Sequence, residues 1–204
     1  MECVFKEKSM NTLLRIDSSL RTENSYSRAL GNYFIQQWKL SNPDGNILER
    51  DVSQQLVPHI TQKTVDAFFS ENPHTESIHL SDELIDELYQ SDEILITCPM
   101  YNYGIPSSLK AYFDTVIRTK KTFTGNTSLE GLLENKKAYI ISSMGGIALD
   151  PHHRNPLENH LTLLLNHVGI TNICYFPLNG TVIDEVRNTE KITLQQSEIL
   201  KQLN

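Results

Sequence analysis

Long apolar runs are missing from this sequence. The longest are strand-sized, and nothing approaches the ~20 consecutive apolar residues that a membrane-spanning helix requires. No run of lysine and arginine is present either, and the formal net charge is −7, so a surface that tracks a nucleic-acid backbone is not expected. Cysteine is scarce. Cys3, Cys98 and Cys174 are odd in number, far apart and contain no CxxC pair, which argues against a disulfide framework or a zinc site and suits a reducing compartment. The first eleven residues are polar and charged, without the apolar stretch of a secretory signal, so the cytoplasm is the expected location. GxGxxG, GxxxxGKS/T and GxSxG are all absent. Their absence removes the dinucleotide fingerprint, the triphosphate loop and the nucleophile elbow of a hydrolase. Seven histidines are present, but none at metal-ligand spacing; His160 and His167 would share one helix face two turns apart, too far for a single ion.

What is there is an ordinary globular composition: 204 residues, 39% hydrophobic and 21% charged, with a pI near 5.5. Apolar periodicity alternates between two kinds along the chain. Strand-like runs occur at Thr12–Ile16, Asn46–Arg50, Glu93–Thr97, Ala138–Ser142 and Ile173–Phe176. Between them lie helical stripes. Leu30, Tyr33, Phe34 and Trp38 form one, and Leu80, Leu84, Ile85 and Leu88 another. A third, Leu109, Tyr112, Phe113, Val116 and Ile117, follows Pro106, a residue suited to a first helical turn. A fourth, Leu157, Leu161, Leu164, Leu165 and Val168, runs to Gly169 as its C-cap. A weaker helix is expected over roughly 184–203, and the stretch around Pro58 and Pro73 reads as loosely organised. Strands alternating with helices imply an α/β protein with a doubly wound, five-stranded parallel sheet covered by helices on both faces. No repeat or linker divides residues 12–204, which read as one domain behind an unstructured N-terminal extension, residues 1–11.

In such sheets ligands bind beyond the carboxyl ends of the strands. Three post-strand segments stand out. After the first strand comes a hydroxyl-rich loop with Ser18, Ser19, Ser25 and Ser27, feeding a helix N-terminus whose free N–H groups suit a phosphate; Arg21 or Arg28 could add charge, while Asn24 or Ser25 could equally serve as a plain N-cap. After the third strand, Pro99-Met100-Tyr101-Asn102-Tyr103-Gly104 offers two aromatics and an amide as a wall for a planar heterocycle, or else a tight loop covering the core. After the fourth, Ser142-Ser143-Met144-Gly145-Gly146 provides consecutive glycines that permit positive φ and a close ligand approach, or a simple turn. Together the three outline a phosphate pocket joined to a slot for a flat ring, the shape of FMN. Tyr112 and Phe113 read as core.

These segments resemble the FMN-dependent NADH-azoreductase family within the flavodoxin-like NAD(P)H:quinone oxidoreductases. The likeness rests on SSLRTENSYS, SDELIDEL, PMYNYGIPSSLKAYFD, SSMGGI and GITNICYF, and it spans nearly the whole chain. It implies a flavodoxin-like fold in which Ser19, Ser25, Tyr26 and Ser27 hold the FMN phosphate, with Ser18 as an extra contact. Met100, Tyr101, Asn102 and Tyr103 would line the isoalloxazine; Ser143, Met144, Gly145 and Gly146 would meet its polar edge. Many members carry arginine where this chain has Met144, which favours a backbone contact there, and some carry histidine where this chain has Ala148; His152 and His153 do not fill that position. The implied activity is reduction of quinones and azo compounds by NADH or NADPH. Two hydride transfers would proceed in turn through one slot, with ping-pong kinetics, flavin N5 carrying the chemistry and no protein residue catalytic. The implied assembly is a homodimer, for which residues 50–75 and 120–135, the latter with Phe123, Gly125 and Gly131, are candidate contacts and substrate walls. The competing reading is a flavodoxin-like module passing electrons to protein partners; spread charge and the PMYN aromatics favour small planar acceptors.

Overall fold

Leu13 and Leu14 point to opposite faces of a sheet and both are fully buried, so the first strand is covered on each side. The computed structural model describes residues 10–70, 76–125, 127–146, 156–182 and 187–203. The expected N-terminal extension falls outside the described residues up to position 9, as do Ala148, His152 and His153. Five strands, β1 (Thr12–Asp17), β2 (Asn46–Asp51), β3 (Glu93–Pro99), β4 (Lys137–Met144) and β5 (Asn172–Asn179), form one sheet in the order β2-β1-β3-β4-β5. Every pairing is parallel. The strands match the expected ones, extended by one or more residues.

Two apolar layers pack on the sheet. On one face Leu13, Leu95, Tyr139 and Ile141 meet Leu30, Phe34 and Trp38 of α1 (Tyr26–Ser41) and Ile199 of α6 (Asn188–Leu203). On the other, Leu14, Ile16, Ile94, Ile96 and Ile140 meet the stripes of α3 (Glu76–Gln90), α4 (Ser107–Val116) and α5 (Pro156–His167). Tyr112 and Phe113 are core residues of α4. Gly169 ends α5 with φ of 102°, as a C-cap glycine does.

One helix was not expected. Residues Gln62–Phe68 form α2, capped by the Thr61 hydroxyl. It is seven residues long and buries only Ala67, so it carries no periodic stripe to read. Phe68 anchors it by lying under the Arg118 guanidinium, 4.6 Å from the ring centroid. At the other end of the chain α6 runs from Asn188, and the expected start near 184 lies outside the described residues.

The chain runs from β1 outward to β2 and then returns to β3 on β1's other side. The direction of winding therefore reverses between β1 and β3, and a crevice opens at their carboxyl ends.

Candidate active site

The loop leaving β1 is pinned at once to β3: Ser18 donates its N–H (3.1 Å) and its hydroxyl (2.8 Å) to the Thr97 carbonyl. Beyond it three buried hydroxyls gather at the start of α1. Ser25 donates to Ser19 Oγ at 3.0 Å and lies 3.3 Å from Ser27 Oγ. Ser25 is the N-cap, yet its bond to the Arg28 N–H is stretched to 3.5 Å, so the helix N-terminus is weakly satisfied from within. Hydroxyls that bond chiefly to one another beside weakly capped N–H groups suit a phosphate. The Tyr26 phenol oxygen accepts from Asn188 Nδ2 at 2.9 Å, which ties the start of α1 to α6.

Beneath this cradle lies a buried ionic cluster that the sequence did not reveal. Arg15 pairs with Asp17 at 2.9 Å, and Arg28 lies between Asp17 (3.3 Å) and Asp51 (2.8 Å). Thr97 donates its hydroxyl to Asp17 at 2.6 Å. Burial penalises the Arg28 cation, but the hydrogen bond and charge of Asp51 and the charge of Asp17 outweigh it, so its pKa is raised. Burial likewise penalises the Asp51 carboxylate, and hydrogen bonds from Arg28 and Ser53 outweigh that penalty and lower its pKa. No contact order within one strand marks such a cluster; its members come from β1, α1, β2 and β3.

The segment after β3 forms a tight turn. Tyr101 and Gly104 exchange backbone hydrogen bonds at 3.0 Å each, and Asn102 and Tyr103 occupy the two corner positions with φ of 49° and 64°. Tyr101 reaches back so that its phenol oxygen accepts from the Leu20 N–H at 3.2 Å, tying this wall to the serine loop. At the turn's tip Tyr103 is 81% exposed, and Gly104 is among the residues that bound an open cleft. That cleft, about 860 Å³, is bounded by Met100, Tyr101, Asn102 and Gly104 on one side. Leu20, His59, Lys110 and His160 bound it elsewhere. Leu20 and Lys110 lie within the SSLRTENSYS and PMYNYGIPSSLKAYFD segments but carry no signal of their own, and His59 and His160 belong to no motif.

At the end of β4 the Ser143 carbonyl accepts from the Met100 N–H at 2.8 Å, joining the second and third segments. The carbonyls of Met144, Gly145 and Gly146 accept from Thr181, Val182 and Gly180. Neither Gly145 nor Gly146 has a positive φ, contrary to the conformational role considered for them. Among the described residues a methyl at Gly146 would meet nothing within 4 Å, whereas one at Gly145 would lie 3.0 Å from Val182.

Among the described residues of 120–135 none bounds this cleft within one copy of the chain. Gly131 presses against the backbone of Val168 and Gly169, and Phe123 packs on His167 with ring centroids 4.6 Å apart, near the amino end of β4. Residues 50–75 do reach it, through His59. His160 and His167 are thereby separated, one at the cleft and one against Phe123.

A family model described as a flavodoxin-like fold matches residues 11–203. An FMN-dependent NADH:quinone oxidoreductase of Marinomonas sp. (strain MWYL1) is 40% identical over 185 residues, covering 86% of this chain and 91% of that protein. The chain belongs to this flavodoxin-like family of FMN-dependent NADH:quinone oxidoreductases. Among solved structures, an azoreductase from Bacillus anthracis str. Sterne superimposes with a TM-score of 0.86 at 22% identity, over 96% of this chain and 99% of that one. An FMN-dependent NADH-azoreductase from Bacillus anthracis str. Ames Ancestor, in complex with FMN, follows with a TM-score of 0.84 at 21% identity, over 95% and 98%. At that identity the likeness speaks for the fold, and family membership rests on the closer relative and the family model. Among the described residues no helix is long and apolar enough to cross a membrane, and no three His, Cys, Asp or Glu side chains gather as a metal group.

Proposed function

We propose that the chain binds FMN across the β1–β3 crevice and uses it to reduce quinones, and azo compounds as a second acceptor class, with NADH as electron donor. The observation that carries this reading is the buried Ser19–Ser25–Ser27 hydroxyl cluster at the α1 N-terminus, bridged by Tyr101 to the wall of the cleft. Bound there, FMN would supply the hydride chemistry that links the reduced nicotinamide to the acceptor.

The protein's share is binding and orientation. Ser19, Ser25 and Ser27, with the N–H groups of the first turn of α1, hold the phosphate. Met100, Tyr101 and Asn102 support the ring, and Gly145 and Gly146 admit its polar edge without a side chain in the way. His59, Lys110 and His160 face the donor and acceptor in the open cleft. One slot serving both gives ping-pong kinetics. We read residues 12–204 as a single FMN-binding domain of a cytoplasmic homodimer. The alternative, electron transfer to a protein partner, is not favoured, because the relatives named above act on quinones or azo compounds.

The test is an anaerobic stopped-flow experiment on the FMN-reconstituted protein. NADH should bleach the flavin in a two-electron step, and a quinone should restore it. Failure to take up FMN would sink the serine-cradle assignment; bound FMN that NADH leaves oxidised would sink the enzymatic reading.

A further inference from the structure

Arg28 stands in the first turn of α1, beside the hydroxyl cradle, where a cation would ordinarily be read as a phosphate ligand. Its contacts point elsewhere. Nη1 lies 2.8 Å from one Asp51 oxygen and 3.3 Å from Asp17. Nη2 donates to the other Asp51 oxygen at 3.0 Å, to Ser53 Oγ at 2.9 Å and to the Ser19 carbonyl at 2.7 Å. Asp51 is itself fixed by the Ser53 N–H at 3.0 Å and the Ser53 hydroxyl at 2.7 Å. Arg15 and Arg28 face Asp17 and Asp51, so the cluster is balanced in charge. A planar guanidinium can bridge two carboxylates and a carbonyl at once, which a single ammonium cannot do in the same geometry.

Resting on the phosphate placement proposed above, we infer that Arg28 is a positioning residue for FMN: anchored by Asp51 and Ser53, it holds the Ser19 carbonyl so that the Ser19 hydroxyl faces the phosphate. It does not contribute charge to the phosphate. Ser19 couples the ion cluster to the cradle, because the residue whose carbonyl Arg28 holds is also the one whose hydroxyl accepts from Ser25 and from the Arg21 N–H at 3.3 Å. The cradle is thus made of neutral donors, and its shape is set from below by an ion cluster.

The two roles predict opposite responses at Asp51. If Arg28 only positions, then Asp51→Asn loosens it and weakens FMN binding. If Arg28 is a phosphate ligand restrained by Asp51, the same substitution frees its charge and tightens binding. The experiment titrates apoprotein with FMN and, separately, riboflavin, following quenching of flavin fluorescence, and records thermal unfolding of each apoprotein. Wild type should prefer FMN. Arg28→Lys and Asp51→Asn should each weaken FMN about tenfold or more while changing riboflavin affinity by less than about twofold. Ser53→Ala, which removes one anchor, should act in the same direction to a smaller extent and serves if Arg28→Lys does not fold. Tighter FMN binding in Asp51→Asn overturns the inference, as does full rescue by Lys or an equal loss for both flavins. Equal wild-type affinity for FMN and riboflavin overturns the phosphate placement and this inference with it.

Discussion

Replacing Gly31 by alanine should destabilise this protein, although general helix energetics say the reverse. Gly31 lies inside α1, where alanine is favoured over glycine by ~1 kcal/mol. At a solvent-facing position that would raise the melting temperature by ~2–4 °C for a chain of this size. Here the helix presses on the sheet. A methyl at Gly31 would sit 2.7 Å from Thr97 Cγ2 and 3.6 Å from Arg15 Nη2. Thr97 is fully buried and held by its bond to Asp17, so it has little room to retreat. Overpacking of this kind costs ~1–3 kcal/mol. The clash therefore outweighs the propensity, with a net loss of ~1 kcal/mol and a melting temperature lowered by ~2–4 °C. Thr97→Ser provides the control, since it deletes the offending methyl and keeps the hydroxyl for Asp17. Alone it should cost ~1 kcal/mol; in the Gly31→Ala background it should cost nothing or restore stability. Calorimetry on the four apoproteins reads the coupling directly. A raised melting temperature for Gly31→Ala, or the same Thr97→Ser penalty in both backgrounds, would refute the reasoning.

Two further glycines should behave oppositely to each other. Gly131→Ala would place a methyl 2.0 Å from the Gly169 nitrogen, against backbone that cannot rotate away, and should cost at least ~3 kcal/mol, seen as a large fall in melting temperature. Gly146→Ala meets open space, so stability should change by less than ~0.5 kcal/mol while FMN affinity falls; unchanged affinity would place the flavin edge elsewhere. Cys98 is fully buried, and burial pushes its thiol up to about 12 against a partial opposing bond from Ser18. Iodoacetamide at pH 8 should therefore spare Cys98 in the native protein and label it only after unfolding, as peptide mass mapping would read. Asp51 has a lowered pKa, so its contribution to stability is present above its ordinary value of 3.8 and is lost as pH falls through the lower folded value. The stability gap between wild type and Asp51→Asn should hold steady at neutral pH and shrink in acid below pH 3.8; a gap that widens there would contradict the ion cluster.

What the sequence determined by itself was whatever is written in local order. Short apolar runs and helical apolar patterns placed five strands and the helices with buried stripes, and α2 escaped because seven residues with one buried position carry no period. Gly169 was legible as a cap because a left-handed residue after a helical stripe has few other uses. The serine loop, the PMYN turn and the glycine pair were legible because each follows a strand, where parallel sheets bind ligands. Direction and partnership were not. Tyr103 sits next to Tyr101 in the chain, yet the turn's positive φ values send it to solvent while Tyr101 faces the Leu20 amide. Tyr26, between two cradle serines, turns its phenol to Asn188 on a distant helix. His59, Lys110 and His160 meet at one cleft from three separate segments, and Arg15, Asp17, Arg28, Asp51 and Thr97 meet in one cluster from four elements. Hydrophobic periodicity reports which face of an element is buried, because burial acts on each residue through its own surface. A hydrogen bond or an ion pair depends on where a second residue lies, and that position exists only once the sheet has brought β1, β2 and β3 side by side.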